Sequence, residues 1–247
     1  MRGSGLLLLI FFVAVSNISW DLIPSNKTSI SIAEKTLEET ISFEDYATSF
    51  YRHLENSALE YNVFKTALRG YLQLQKSGQL TNKKFLSIID FSKSSSKQRL
   101  FIIDVETKEI IHQSLVAHGR NSGLEFAKKF SNKVNSHQSS LGFYVTAETY
   151  SGKHGYSLRL DGLEYSNNNA RRRAVVIHAA DYAGENFVKK NGRLGRSFGC
   201  PSLPQNGYKE VISKIKGGSC LFIYYPKKTY LNKSKLANSL INAELTF

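Results

Sequence analysis

Cysteine is scarce: the 247-residue chain holds two, Cys200 and Cys220. A framework of several disulfides is therefore excluded, and one bridge is the most the pair allows. Long apolar runs are scarcer still. Leu6 to Val15 form an unbroken run of ten residues and nothing comparable follows, so no later segment reads as a membrane-spanning helix. No cysteine lies near the end of that run, which leaves a lipid anchor without an attachment thiol. The six histidines lack a short metal-site spacing such as His-x-x-x-His, and neither a metal nor an organic cofactor is expected. Internal repeats and nucleic-acid-binding motifs are also missing.

What is present describes a globular, exported chain. Hydrophobic residues make up 41% and aromatic residues 12%, enough to build a buried core. Arg2, the apolar run, and the small and polar residues through Ser16 and Ser19 have the layout of a secretory signal peptide over residues 1–19. Export to the periplasm or cell envelope is expected, with membrane contact only through this segment if it stays uncleaved. The net charge is +13. Most bases are scattered, as in Lys83–Lys84 and Lys189–Lys190, and only Arg171–Arg172–Arg173 is dense. With an export signal present, an anionic cell-wall polymer explains this charge better than nucleic acid does, and no nucleic-acid partner is expected.

Residues 20–32 are rich in Ser and Asn and read as a linker. Over 33–80 apolar residues recur at three- and four-residue steps, among them Tyr46, Phe50, Leu54, Val63, Phe64, Ala67, Leu68 and Tyr71. This spacing predicts two or three helices, one of them starting at Ser42 with Asp45 three residues on. The texture then changes. Phe85–Phe91, Arg99–Val105, Glu109–Ala117, Leu141–Tyr150, Tyr156–Leu160, Ala174–His178 and Ser219–Tyr225 are short runs separated by turn-forming clusters. The fold class expected is mainly β with α (α+β): a sandwich or barrel over 84–226 preceded by a short helical segment. One further helix is expected between Gln205 and Lys216, capped by Ser202 with Gln205 and stopped by Gly217–Gly218. Residues 227–247 read as a polar tail that frays.

The two thiols sit in different settings. Cys220 belongs to the apolar run Cys-Leu-Phe-Ile-Tyr-Tyr, where a small buried thiol is unremarkable. Cys200 lies in Gly-Arg-Ser-Phe-Gly-Cys-Pro, where Gly195 and Gly199 let the backbone bend around it and Pro201 fixes the exit. Arg193, Arg196 and the amino end of the helix expected downstream would favour the thiolate. The backbone N–H groups of Gly199 and Cys200 would suit an oxyanion. A nucleophilic thiol needs a base. His178 ends the apolar strand Ala-Val-Val-Ile-His, which would hold it rigidly at a sheet rim, whereas His53 lies in the helical segment, His112 in a strand, His137 in a polar loop, and His118 and His154 in turns. Spacing alone does not choose among the six, nor does local sequence separate a reactive Cys200 from a thiol held in a tight loop.

The order of motifs resembles the murein L,D-transpeptidase family. Ile177-His178-Ala179-Ala180-Asp181-Tyr182 is followed by Gly192-Arg193-Leu194-Gly195-Arg196-Ser197-Phe198-Gly199-Cys200-Pro201, in the manner of the branch with a Gly-Arg-Ser-x-Gly-Cys-Pro loop. The resemblance runs from Phe85 to Tyr225 and takes in His118-Gly119-Arg120-Asn121-Ser122-Gly123, Gly152-Lys153-His154-Gly155 and Ser157-Leu158-Arg159-Leu160-Asp161-Gly162. It implies a β-rich catalytic domain in which Cys200 is the nucleophile, His178 the base, and Ser197 and Gly199 the loop core. A backbone carbonyl after the base, here that of Ala179, would orient it. Many members carry His two places before the Cys, where this chain has Phe198, and an apolar residue then Arg or Asn after it, where this chain has Pro201-Ser202.

The resemblance further implies peptidoglycan stem peptides as partners. Cys200 would form a thioester with a stem tetrapeptide, release D-alanine and pass the acyl group to an amine. Arg196, Arg193 and the Arg171–Arg173 cluster are candidates for binding stem carboxylates. Alternatives are an L,D-carboxypeptidase, with water as acceptor, and a catalytically silent wall-binding module.

Overall fold

The structure is a computed structural model and describes residues 41–55 and 58–239. The signal segment, the linker and the first residues of the expected helical region lie outside them. Among the described residues no helix is long and apolar enough to cross a membrane.

Helix α1 (Phe43–His53) starts where the sequence predicts, with the Ser42 hydroxyl accepting the Asp45 N–H at 3.1 Å. Acidic Glu44 and Asp45 fall in its first turn and basic Arg52 and His53 in its last, matching the helix dipole. Helix α2 (Tyr61–Lys76) presents Val63, Phe64, Ala67, Leu68, Tyr71 and Leu74 inward, the three- and four-residue steps read from the sequence. Phe50 of α1 meets Phe64 of α2 edge to face, with ring centroids 5.2 Å apart, and α2 packs on the sheet that follows.

The strands are β1 (Phe85–Asp90), β2 (Leu100–Asp104), β3 (Glu109–Ser114), β4 (Gly142–Gly152), β5 (Gly155–Gly162), β6 (Val176–Ala179), β7 (Ser202–Leu203) and β8 (Cys220–Tyr224). They form one mixed sheet in the order β3-β2-β1-β8-β4-β5-β6-β7. The last strand inserts between the first three and the middle three, parallel to β1 and antiparallel to β4. Phe143 of β4 stacks on Phe222 of β8 at 4.2 Å across that junction. The sheet then almost closes on itself. Ala117, just past β3, pairs with Ser202 of β7 at the opposite end, through bonds of 2.8 and 3.3 Å. Pairing the two edges removes exposed strand ends and makes the barrel-like body expected from the strand spacing.

Two expectations are corrected, and one unread helix is added. Ser202 does not cap a helix. It belongs to β7, and helix α4 (Tyr208–Ile215) instead starts after Gly207, which adopts φ +77°. Pairing with both β6 and Ala117 outweighs a local cap. Helix α3 (Glu185–Asn191) was not read from the sequence, because it buries no residue and so has no apolar stripe. The segment after Pro226 does not fray as far as Ser239. It forms helix α5 (Lys228–Leu231), and Tyr230 and Ser234 donate hydroxyl bonds to the buried Glu164 carboxylate. Tyr230 and Ala237 are buried against the body.

Candidate active site

The site lies at the seam where the sheet closes. The loop after α3 crosses it, held by pairing with the segment after β3. Ser197 N–H donates to the His118 carbonyl at 3.0 Å, and Arg120 N–H donates to the Ser197 carbonyl at 2.7 Å. Ser197 also ties the turn internally, its hydroxyl donating to the Cys200 carbonyl at 2.6 Å and accepting the Gly199 N–H at 3.0 Å. Gly199 has φ +129°, and a Cβ there would lie 2.8 Å from the Gln138 carbonyl oxygen. Gly195 is pressed on Tyr182, where a Cβ would come within 2.4 Å of the tyrosine Cβ. Neither position admits a side chain without moving backbone or ring.

Both cysteines are free thiols. Cys220 is buried in β8, and burial pushes its thiol far up. Cys200 is half-buried. Its Sγ accepts the Val176 N–H at 3.4 Å and lies 3.6 Å from the Ala174 carbonyl oxygen. The thiol is thus seated at the start of β6, the strand that carries His178. Burial raises its pKa, partly offset by the Val176 N–H and by the positive charge of Arg173. At neutral pH it is held as the thiol, not as the thiolate expected from Arg193, Arg196 and a helix end.

Those two arginines are otherwise engaged. Arg196 donates to the carbonyls of Arg120 and Gly123 at 3.1 and 3.2 Å, and Arg193 donates to the Leu194 carbonyl at 2.7 Å. The cation near the thiol comes from the triple cluster. Arg173 donates to the Ser131 carbonyl at 2.8 Å and the Gln138 carbonyl at 2.5 Å, and a Cβ on Gly199 would sit 3.1 Å from its Nη2. Arg171 instead pairs with Glu148 and Asp161 on the surface. The sequence shows the cluster but not which arginine turns inward. Gly199 N–H is committed to Ser197, so of the two backbone donors expected for an oxyanion only the Cys200 N–H has no acceptor among the described residues.

His178 is buried, with its Nδ1 at 2.9 Å from the Ala179 carbonyl oxygen. A carbonyl only accepts, so Nδ1 carries the proton and Nε2 holds the lone pair. The carbonyl is the one the family resemblance implies. Nε2 lies 3.0 Å from the Ser202 hydroxyl, which lies 3.1 Å from the Tyr182 hydroxyl. Against the ring lies His154, from the tip of the β4–β5 hairpin, stacked at 4.5 Å. Burial lowers the His178 pKa, the Ala179 carbonyl opposes this, and the neighbouring His154 adds to it.

Residues 55–224 match the family model of the L,D-transpeptidase catalytic domain. The chain belongs to this family. Among solved structures it is similar to an L,D-transpeptidase from Mycobacterium smegmatis, at 12% identity and TM-score 0.37, covering 57% of this chain and 59% of that one. It is also similar to the helical cell shape determining protein of Campylobacter jejuni, at 12% identity and TM-score 0.38, covering 66% and 57%. Bd1075 of Bdellovibrio bacteriovorus is similar at 16% identity and TM-score 0.35, covering 61% and 52%. The chain thus spans less than two thirds of the length of these structures. No curated protein matches it.

Among the described residues of this L,D-transpeptidase-family chain, no group of three or more His, Cys, Asp or Glu is placed to hold a metal. Sequence reasoning passed over Ser202 and Tyr182 as members of the site, and named Arg173 only as one of the Arg171–Arg173 cluster. Ser202 and Tyr182 lie within the motif stretches but gave no chemical signal of their own. Phe198, where many relatives carry His, is 64% exposed beside Cys200, between the Arg120 guanidinium and the His137 ring.

Proposed function

We propose that the protein is an exported peptidoglycan L,D-transpeptidase with Cys200 as nucleophile and His178 as base. The observation that carries this reading is the seating of the Cys200 thiol on the strand that also carries a buried, Nδ1-protonated His178. A thiol held neutral requires a base at each acylation, and a histidine with a lowered pKa is neutral and ready at pH 7. The Cys200 S–H proton passes to His178 as sulfur bonds to the carbonyl carbon of the third residue of a stem tetrapeptide. The Cys200 N–H holds the resulting oxyanion. Collapse breaks the bond to D-alanine, whose nitrogen takes the proton from His178, and a thioester remains. An acceptor amine then attacks the thioester and gives a proton to His178, which returns it to the leaving sulfur and restores the thiol. The scattered positive charge suits an anionic wall.

The test incubates the protein with tetrapeptide muropeptides and follows products by mass spectrometry. Cross-linked dimer with release of D-alanine is expected, and Cys200→Ala should abolish both. Full turnover by Cys200→Ala would end this reading. Tripeptide without dimer would replace the amine acceptor by water.

A further inference from the structure

Both ring nitrogens of His178 are engaged. Nδ1–H donates to Ala179, so Ser202 must be the donor to Nε2, and Tyr182 in turn donates to Ser202. These hydroxyls are held from several sides. Ser202 is fully buried and lies directly opposite His178 in the parallel β6–β7 register, with Ala117 paired to it on the other edge. Tyr182 is fixed by the Gly195 N–H, which donates to its carbonyl at 2.8 Å, and by the close approach of Gly195. The other titratable or charged groups acting here are the His154 ring against the imidazole, the Cys200 thiol, and Arg173 beside the thiol.

A base must be neutral at one moment and cationic the next. Buried neutral Nε2 calls for a donor, and buried Nε2–H⁺ calls for an acceptor. A hydroxyl serves as either. A group that only donates does not, and the same protein shows the contrast: His118 accepts from the Arg99 guanidinium at 2.8 Å, and its pKa is driven down to about 3 by burial and by that cation.

We propose that Ser202, backed by Tyr182, is a positioning residue of the acyl transfer that donates to the neutral His178 ring and accepts from its imidazolium. As the Cys200 S–H bond breaks, its proton goes to Nε2 of His178. Nε2–H then donates to Oγ, and Ser202 O–H turns toward the Tyr182 oxygen. The proton and charge are conserved, and no heavy atom of the scaffold need move. This rests on the reading of Cys200 and His178 given above.

The test compares full-length wild type, Ser202→Ala, Ser202→Thr and Tyr182→Phe. The His178 titration is read by nitrogen NMR of the imidazole, and Cys200 acylation by a carbapenem is read by intact mass against pH. In Ser202→Ala the imidazolium loses its acceptor, which costs more than the neutral ring loses, so the His178 titration shifts to lower pH. Acylation slows about a hundredfold. Ser202→Thr restores both, and Tyr182→Phe gives the same changes in smaller measure. An unchanged His178 titration in both Ser202→Ala and Tyr182→Phe overturns this role, whatever the rates. A wild type that no carbapenem or tetrapeptide acylates would sink the transpeptidase reading instead, and the titration would still test the hydroxyl pair.

Discussion

His118 and His178 are both buried, both lie within the motifs shared with the family, and burial lowers the pKa of both. Their partners separate them. His118 Nδ1 faces the guanidinium of Arg99, itself fully buried over the Phe91 ring and bonded to the carbonyls of Lys93 and Val116. Desolvation lowers the Arg99 pKa to about 9, and its charge bars His118 from taking a proton. His118 is therefore a strut: its carbonyl carries the Ser197 N–H and so helps hold the Cys200 loop. His178 Nε2 faces the Ser202 hydroxyl, itself backed by that of Tyr182, and a hydroxyl tolerates either protonation state. A buried histidine is free to gain and lose a proton where its partner can reverse the direction of the bond, which is what the proposed base role asks of His178.

The largest expected effect that would sharpen this contrast is chemical. His178→Gln should slow carbapenem acylation of Cys200 about a thousandfold while leaving the thermal midpoint nearly unchanged. Near-normal acylation would break the contrast outright.

The next effects concern stability. Arg99→Leu strands the Val116 carbonyl and His118 Nδ1 without donors, and should cost about 3 kcal/mol in urea unfolding. A neutral result would mean that the strut is dispensable. His118 also sets an acid dependence with a defined sign. Its pKa falls from 6.5 unfolded to about 3 folded, so the unfolded chain binds the extra proton in between. Stability from this group is complete above pH 6.5 and is lost as pH falls toward about 3. Unfolding free energy should drop by roughly 2–3 kcal/mol between pH 6.5 and pH 4.5, and His118→Asn should flatten that slope. An equally steep slope in the variant would assign acid sensitivity elsewhere.

The smallest effect lies at the other face of the base. His154→Ala removes the neighbouring ring that disfavours the imidazolium and opens His178 to water, so the His178 titration should move to higher pH. NMR titration reads this directly, and a shift downward would contradict it.

Much of the frame was legible. The apolar runs at Phe85, Arg99, Glu109 and Leu141 became strands because period and composition act locally. Ser42 capped α1 for the same reason. The candidate pair Cys200 and His178 was singled out only through the order of family motifs. Arg173 was hidden among three adjacent arginines whose directions depend on the turn before β6. Ser202 read as a helix cap because its real partners, His178 and Ala117, lie 24 and 85 residues away in sequence.

The sequence by itself determined where α1, α2, α4 and the longer strands run, that one thiol belongs to a buried strand and the other to a glycine-bent loop, and which family the chain resembles. Those are properties of neighbouring residues, set by periodicity, turn chemistry and local order. Tertiary structure decided the closing of the sheet through β7, the neutral state of the Cys200 thiol, the arginine that faces it, and the partners of each buried histidine. These depend on which distant groups meet away from water, where one donor or acceptor fixes a proton's place.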